Sequence, residues 1–163
     1  MAEGASQREG ASQPTAAVVH NEAEVVTKGS EALPKLLEMF EKFGFPAGLF
    51  PFQYVDEFGF IENLGVWWVH QKANIEHEFV IAKEVVVYKK SMSGKIEKNK
   101  IVDLKGWKMK SALNKDLFLS IPFHEVWLDD PPSGLIHFKT YNKKHDATVK
   151  SIPIEAFTYG SGS

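Results

Sequence analysis

The sequence predicts a mainly β fold, one curved antiparallel-rich domain with a single helix at its N-terminal side. Three observations carry this. From Tyr54 to Phe157 the chain is a succession of short β-rich runs broken by turn residues: VWWVHQ, HEFVIA, EVVVYKKSMSGKIE, IVDL, DLFLSI, GLIHFKTY and TVKSIPI. One amphipathic stretch precedes them, and nothing after residue 44 has the spacing of a helix. The alternation of apolar side chains also reverses within some runs, and such reversals are the bulges that curved sheets and barrels require.

In chain order, residues 1–29 carry no aromatic side chain and little to bury, so a disordered tail is expected there. The folded domain is expected over 30–158, with a flexible end at 159–163. The helix is expected to open near Pro34, whose missing N–H is not needed in a first turn. Leu33, Leu36, Leu37, Phe40 and Phe43 then share one face, and Gly44 suits the C-terminal cap. The segment Phe45-Pro46-Ala47-Gly48-Leu49-Phe50-Pro51-Phe52 is too apolar for a solvated connection and is expected to plug the β core.

Side-chain alternation assigns faces to the strands. Tyr54, Phe58 and Phe60 share a face with Asp56; Ile75, Phe79 and Ile81 with His77; Val86, Tyr88, Met92 and Ile96 with Lys90. Val102 and Leu104 take one face and Trp107 and Met109 the other, which places a bulge at Gly106. A second reversal falls at His124–Glu125, between Leu117, Leu119, Ile121 and Phe123 on one side and Val126 and Leu128 on the other. Pro122 and Pro153 belong at edges or bends, because neither can donate to a ladder.

Composition bounds function only loosely. A net charge of −2 gives no reason to expect nucleic acid as a partner. Cysteine is absent, which removes disulfides, thiol nucleophiles and thiolate metal sites. The first residues hold no apolar signal-type stretch, and a cytoplasmic, reducing compartment is expected. The six histidines form no HxH or HExxH pattern, so no metal site is expected, and no cofactor fingerprint occurs.

Asp56, His77 and Lys90 are the polar residues on otherwise apolar faces of neighbouring runs. A buried charge is costly unless paired, so they meet one another, line a wet pocket, or stand exposed by a different register. Trp67, Trp68, Trp107, Trp127, Tyr88 and Phe138 form either a ligand-stacking wall or simply core; Trp67 and Trp68, being adjacent, must face opposite sides. The expected ligand-binding set is Trp68, His77, Phe79, Tyr88, Lys90 and Trp107. Eight lysines between Lys89 and Lys110 make a basic stretch suited to an anionic membrane surface or, more simply, to a solvated hairpin.

The order of segments resembles the plant family called domain of unknown function 538. The resemblance rests on Gly44-Phe45-Pro46-Ala47-Gly48-Leu49-Phe50-Pro51, on Gly65-Val66-Trp67-Trp68-Val69-His70-Gln71-Lys72 and on Glu76-His77-Glu78-Phe79. It continues in Asp129-Asp130-Pro131-Pro132-Ser133-Gly134-Leu135-Ile136-His137-Phe138-Lys139-Thr140 and Ile152-Pro153-Ile154-Glu155-Ala156-Phe157, covering about residues 24–157. It implies a single antiparallel-rich β pseudo-barrel with one N-terminal helix packed at one end, likened to the lipid-binding domains of bactericidal/permeability-increasing proteins. It also implies hydrolase, development or stress roles for some members, but supplies no catalytic set. The chain departs from the family pattern at Tyr88–Gly94, at Gly106–Ala112, near an insertion at Asn114, Lys115 and Asp116, and at Ser120, which replaces a usual tryptophan.

Three functions remain open at this stage. The first expectation is a binding module holding a lipid or other apolar small molecule in the barrel interior. The second is an enzyme of specialised metabolism, an esterase or an acid–base isomerase or cyclase. His77 would be its base, Asp56 would orient it, and Lys90 would stabilise developing charge. The third is an interaction protein using residues 1–29.

Overall fold

The computed structural model of the chain describes residues 24–111, 120–141 and 146–158. The expected insertion at Asn114–Asp116, the run Leu117–Leu119, His20, His145 and the expected end at 159–163 lie outside the described residues. Among the described residues nine strands form one antiparallel sheet. They are β1 (Glu24–Lys28), β2 (Glu57–Ile61), β3 (Val66–His70), β4 (Ile75–Phe79), β5 (Glu84–Glu97), β6 (Lys100–Ser111), β7 (Ile121–Leu128), β8 (Leu135–Tyr141) and β9 (Ala147–Pro153). Their order is β1-β2-β3-β5-β6-β7-β8-β9, with β4 also on β5. The long strand β5 thus serves two neighbours on one edge: β3 pairs with its Ser91–Lys95 half and β4 with its Glu84–Tyr88 half.

The sheet curls without closing, so the barrel is approximate. Its curvature is visible in contacts that skip strands. Lys150 on β9 forms an ion pair with the buried Glu84 on β5, four strands away in sheet order. Phe79 at the end of β4 meets Phe157, just past β9, with ring centroids 4.8 Å apart.

Of the tail expected over 1–29, residues 1–23 lie outside the described residues, and the remainder is structured. Glu24–Lys28 is β1, paired with β2 from Glu24↔Ile61 to Lys28↔Glu57. Its Val25-Val26-Thr27 triplet suits a strand, but Val25 and Val26 stay 55% and 42% exposed, so no burial signal marks it.

The one α-helix among the described residues, α1 (Ala32–Lys42), follows a 3-10 turn at Gly29–Glu31. It buries Ala32, Leu36, Met39 and Phe40, with Leu33, Leu37 and Phe43 packed beside them. It ends as expected at Gly44, whose φ is +100°. The Phe45 N–H donates to the Phe40 carbonyl at 2.9 Å and the Gly44 N–H to Glu41 at 3.0 Å, the two bonds of a Schellman cap.

The apolar segment after the helix does plug the sheet. Phe45, Leu49, Phe50 and Phe52 are buried. Phe50 stacks on Phe40 at 4.0 Å and lies 5.0 Å from Trp107, joining helix to sheet. At the 3-10 turn Ala47–Leu49 the backbone of Gly48 meets the carbonyl of Phe157. A Cβ at Gly48 would stand 1.8 Å from that oxygen, so only glycine permits the contact.

Both expected reversals are present. Gly106 has φ +84° and abuts the Ser91 carbonyl, where the β5–β6 register slips between Tyr88 and Ser93. The β7–β8 register slips between Phe123 and Glu125, and Phe123 and Val126 are the residues buried. A further interruption, Asp103 at φ +53°, buries Ile101 with Leu104 in place of the expected Val102. Tyr54 is 47% exposed while Val55 is buried, because Gln53–Asp56 is not a strand and alternation does not apply there.

Candidate functional site

The interior is a connected set of aromatic rings. Trp107 lies within 6.2 Å of Phe50, Tyr88, Phe123 and Phe138, centroid to centroid. Phe138 and Phe79 both meet Phe157, and Trp67 stands edge-on to Phe40 at 5.1 Å. The Tyr88 hydroxyl donates to the Leu49 carbonyl at 2.6 Å, and burial pushes its pKa well above the usual tyrosine value. Phe79, Tyr88 and Trp107, three of the expected ligand contacts, are therefore packed against core side chains.

The other three are not among the buried core residues. Trp68 faces the convex side, half-buried, its indole N–H donating to Glu57 at 2.9 Å. His77 is half-buried on β4 opposite Val86, with its ring 4.5 Å from Phe79. Lys90 is exposed, four residues from Val86 along β5, a backbone separation of about 13 Å. Asp56 precedes β2, its N–H donating to the carbonyl of His70 at the end of β3, while Gln71, the residue after His70, donates its N–H to the Lys90 carbonyl. The backbone thus brings Asp56 and Lys90 to either side of Gln71 and leaves His77 further along the sheet.

That meeting point is a break between β3 and β4, and a groove opens there. The Gln71 side chain, nearly buried, donates to the carbonyls of Tyr88 and Lys89, and the Lys90 N–H donates to the Asn74 side chain. Side-chain amides replace the ladder for a few residues, so the strand bends away. The groove holds about 390 Å³ and is lined by Pro51, Phe52, Tyr54, Gln71, Lys72 and Ile75, among others. Phe52 forms its floor and rests edge-on against Tyr88 at 5.1 Å. Lys72 Nζ lies 5.7 Å from the Tyr54 ring centroid at the rim.

The basic stretch lies on the β5–β6 hairpin. Lys110 pairs with Glu76 at 3.0 Å and Lys100 with Glu125 at 3.8 Å. Among the described residues no three His, Asp or Glu side chains gather as a metal site, and no helix is long and apolar enough to cross a membrane.

One polar constellation escaped the sequence reading. On the convex face the register aligns Trp127, His137 and Ser151 across β7, β8 and β9. His137 Nε2 lies 2.7 Å from an Asp129 oxygen and its Nδ1 lies 2.7 Å from Ser151 Oγ. The Ser133 hydroxyl donates to the same Asp129 oxygen. Hydrogen bonds from His137 and Ser133 hold the Asp129 carboxyl below the usual carboxylate range. The sequence signal was slight: three residue types spread over 23 positions, joined only by cross-strand register.

These features define a mainly β protein with an aromatic interior and its openings at the surface. Residues 36–158 match the family described as "Protein of unknown function, DUF538", and the chain belongs to that family. No curated protein and no solved structure matches the chain.

Proposed function

We propose that the protein binds an amphipathic small molecule or lipid at the groove beside the β3–β4 break. The observation that carries this reading is a concave, largely apolar surface with few polar groups at its rim, the usual form of a small-molecule site. Packed rings fill the positions around Trp107 and Tyr88, so the ligand sits at the mouth and touches the core through Phe52. Phe52, Ile75 and Tyr54 take the apolar part, and Lys72 takes an anionic head. Lys90 and the other lysines of the β5–β6 hairpin favour delivery from an anionic membrane surface. The lack of cysteine suits a reducing, cytoplasmic setting.

Displacement of a fluorescent fatty acid from the purified protein tests this. Tyr54→Ala and Lys72→Glu are both at exposed positions, and each is expected to weaken binding about tenfold, or about 1.4 kcal/mol. Lys72→Glu should leave an uncharged analogue of the same chain length unaffected. Binding that both variants retain at full strength would refute the placement.

A further inference from the structure

We propose that Ser151, His137 and Asp129 form a hydrolytic site for small carboxylic esters, with Ser151 as nucleophile and His137 as its base. The tautomer follows from the partners. An ionised Asp129 can only accept, so the proton on His137 sits at Nε2 and points to the carboxylate. Nδ1 is left with its lone pair, and the group facing it at 2.7 Å is the Ser151 hydroxyl, which must therefore donate. This is the serine–histidine–acid logic with the two ring nitrogens exchanged.

The surroundings hold the imidazole in that orientation. The Trp127 ring stacks on it at 5.3 Å with 29° between planes, and the His137 side chain is only 13% exposed. Asp129 is in turn fixed by Ser133, whose oxygen also accepts from the Leu135 N–H at 3.2 Å. Ser151 by contrast is exposed, on the border strand β9 that pairs only with β8 among the described residues. In an antiparallel ladder alternate N–H groups of a border strand point outward. An outward N–H therefore lies at Ser151 or at its neighbours Lys150 and Ile152, the backbone donors nearest in sequence to an oxyanion formed at Ser151.

In the first step Ser151 Oγ bonds to the ester carbonyl carbon and its proton passes to His137 Nδ1. The ester C–O bond then breaks and that proton leaves with the alcohol. Water next attacks the acyl-serine and gives its proton to Nδ1; the acyl–Oγ bond then breaks, that proton passes to Oγ, and the acid leaves with serine and neutral imidazole restored. Asp129 is a positioning residue, acting through the imidazole.

The molecule supplies its own control. Ser91, His70 and Glu57 also align across β5, β3 and β2 on the convex face. There His70 Nδ1 is 3.1 Å from Ser91 Oγ, but Nε2 stands 3.9 Å from Glu57, whose carboxylate accepts from Trp68 instead. The second row lacks the acid–imidazole bond that sets the tautomer.

The test uses the full chain with a fluorophosphonate probe and 4-nitrophenyl butyrate. The probe is expected on Ser151, in the tryptic peptide that begins there after Lys150. Ser151→Ala should abolish labelling and lower hydrolysis by about 100-fold or more, and Asp129→Asn should lower kcat with KM nearly unchanged. Ser91→Ala should leave both readouts at the wild-type level. A label found elsewhere, or a Ser151→Ala protein that hydrolyses the ester as fast as the wild type, would overturn the proposal.

Discussion

The two faces of the sheet use the same kinds of side chain and differ in what those side chains meet. On the concave face tryptophan, tyrosine and phenylalanine meet one another, the helix and the plug. On the convex face tryptophan meets carboxylate, imidazole and water. Trp67 and Trp68, one peptide bond apart, stand on opposite sides of this division: Trp67 is buried against Phe40, and Trp68 lies over Gly59 and reaches Glu57. The comparison teaches where each role belongs. The concave face supplies cohesion, and the polar chemistry is left to the convex side and to the mouth.

Truncating the adjacent tryptophans is the strongest way to break that comparison. Trp67→Ala is expected to cost about 3–5 kcal/mol in denaturant unfolding, because it empties a packed site. Trp68→Ala should cost about 1–2 kcal/mol, for one hydrogen bond and a partly solvated ring. Equal losses would mean that the two faces are not energetically distinct.

The Tyr88 hydroxyl tests the polar exception inside. Tyr88→Phe leaves the Leu49 carbonyl without its donor and should cost about 1–3 kcal/mol near neutrality. The folded phenol titrates above its unfolded value of about 10. Its contribution is therefore complete below pH 10 and is lost as pH rises towards the folded pKa. Thermal unfolding between pH 9 and 11 should show a steeper alkaline decline for the wild type than for the Phe variant.

The smallest effect is expected on the convex face at acid pH. Asp129 has a folded pKa below its unfolded one, so its contribution is present above the ordinary carboxylate range and disappears as pH falls through the folded value. Asp129→Asn should flatten the acid limb of a Tm-against-pH curve. An unchanged acid limb would show that the His137 contact contributes nothing to the folded state.

Much of the fold was legible because it depends on neighbours in sequence. The helix face, its Gly44 cap, the apolar plug and the reversals at Gly106 and His124 all follow from local spacing. β1 was not legible, since its valines face solvent and give no burial pattern. The sites were harder because they depend on register between distant strands. Alternation in the sequence sets Asp56, His77 and Lys90 each on an apolar face, but Asp56 lies outside any strand and the break at Gln71–Asn74 interrupts the ladder that would align the other two. Asp129, His137 and Ser151 fall together only once β7, β8 and β9 are paired, which alternation within a single strand cannot reveal.

Among the described residues the open sheet begins at β1 and ends at β9, and these two border strands are not equivalent. The last strand ends in Pro153, whose nitrogen carries no hydrogen, and its Lys150 bends inward to Glu84. The first presents Val25 and Val26 to solvent and pairs only with β2 among the described residues. Proline and an inward-bent lysine blunt the C-terminal border against edge-to-edge pairing, and the N-terminal border carries neither device within β1.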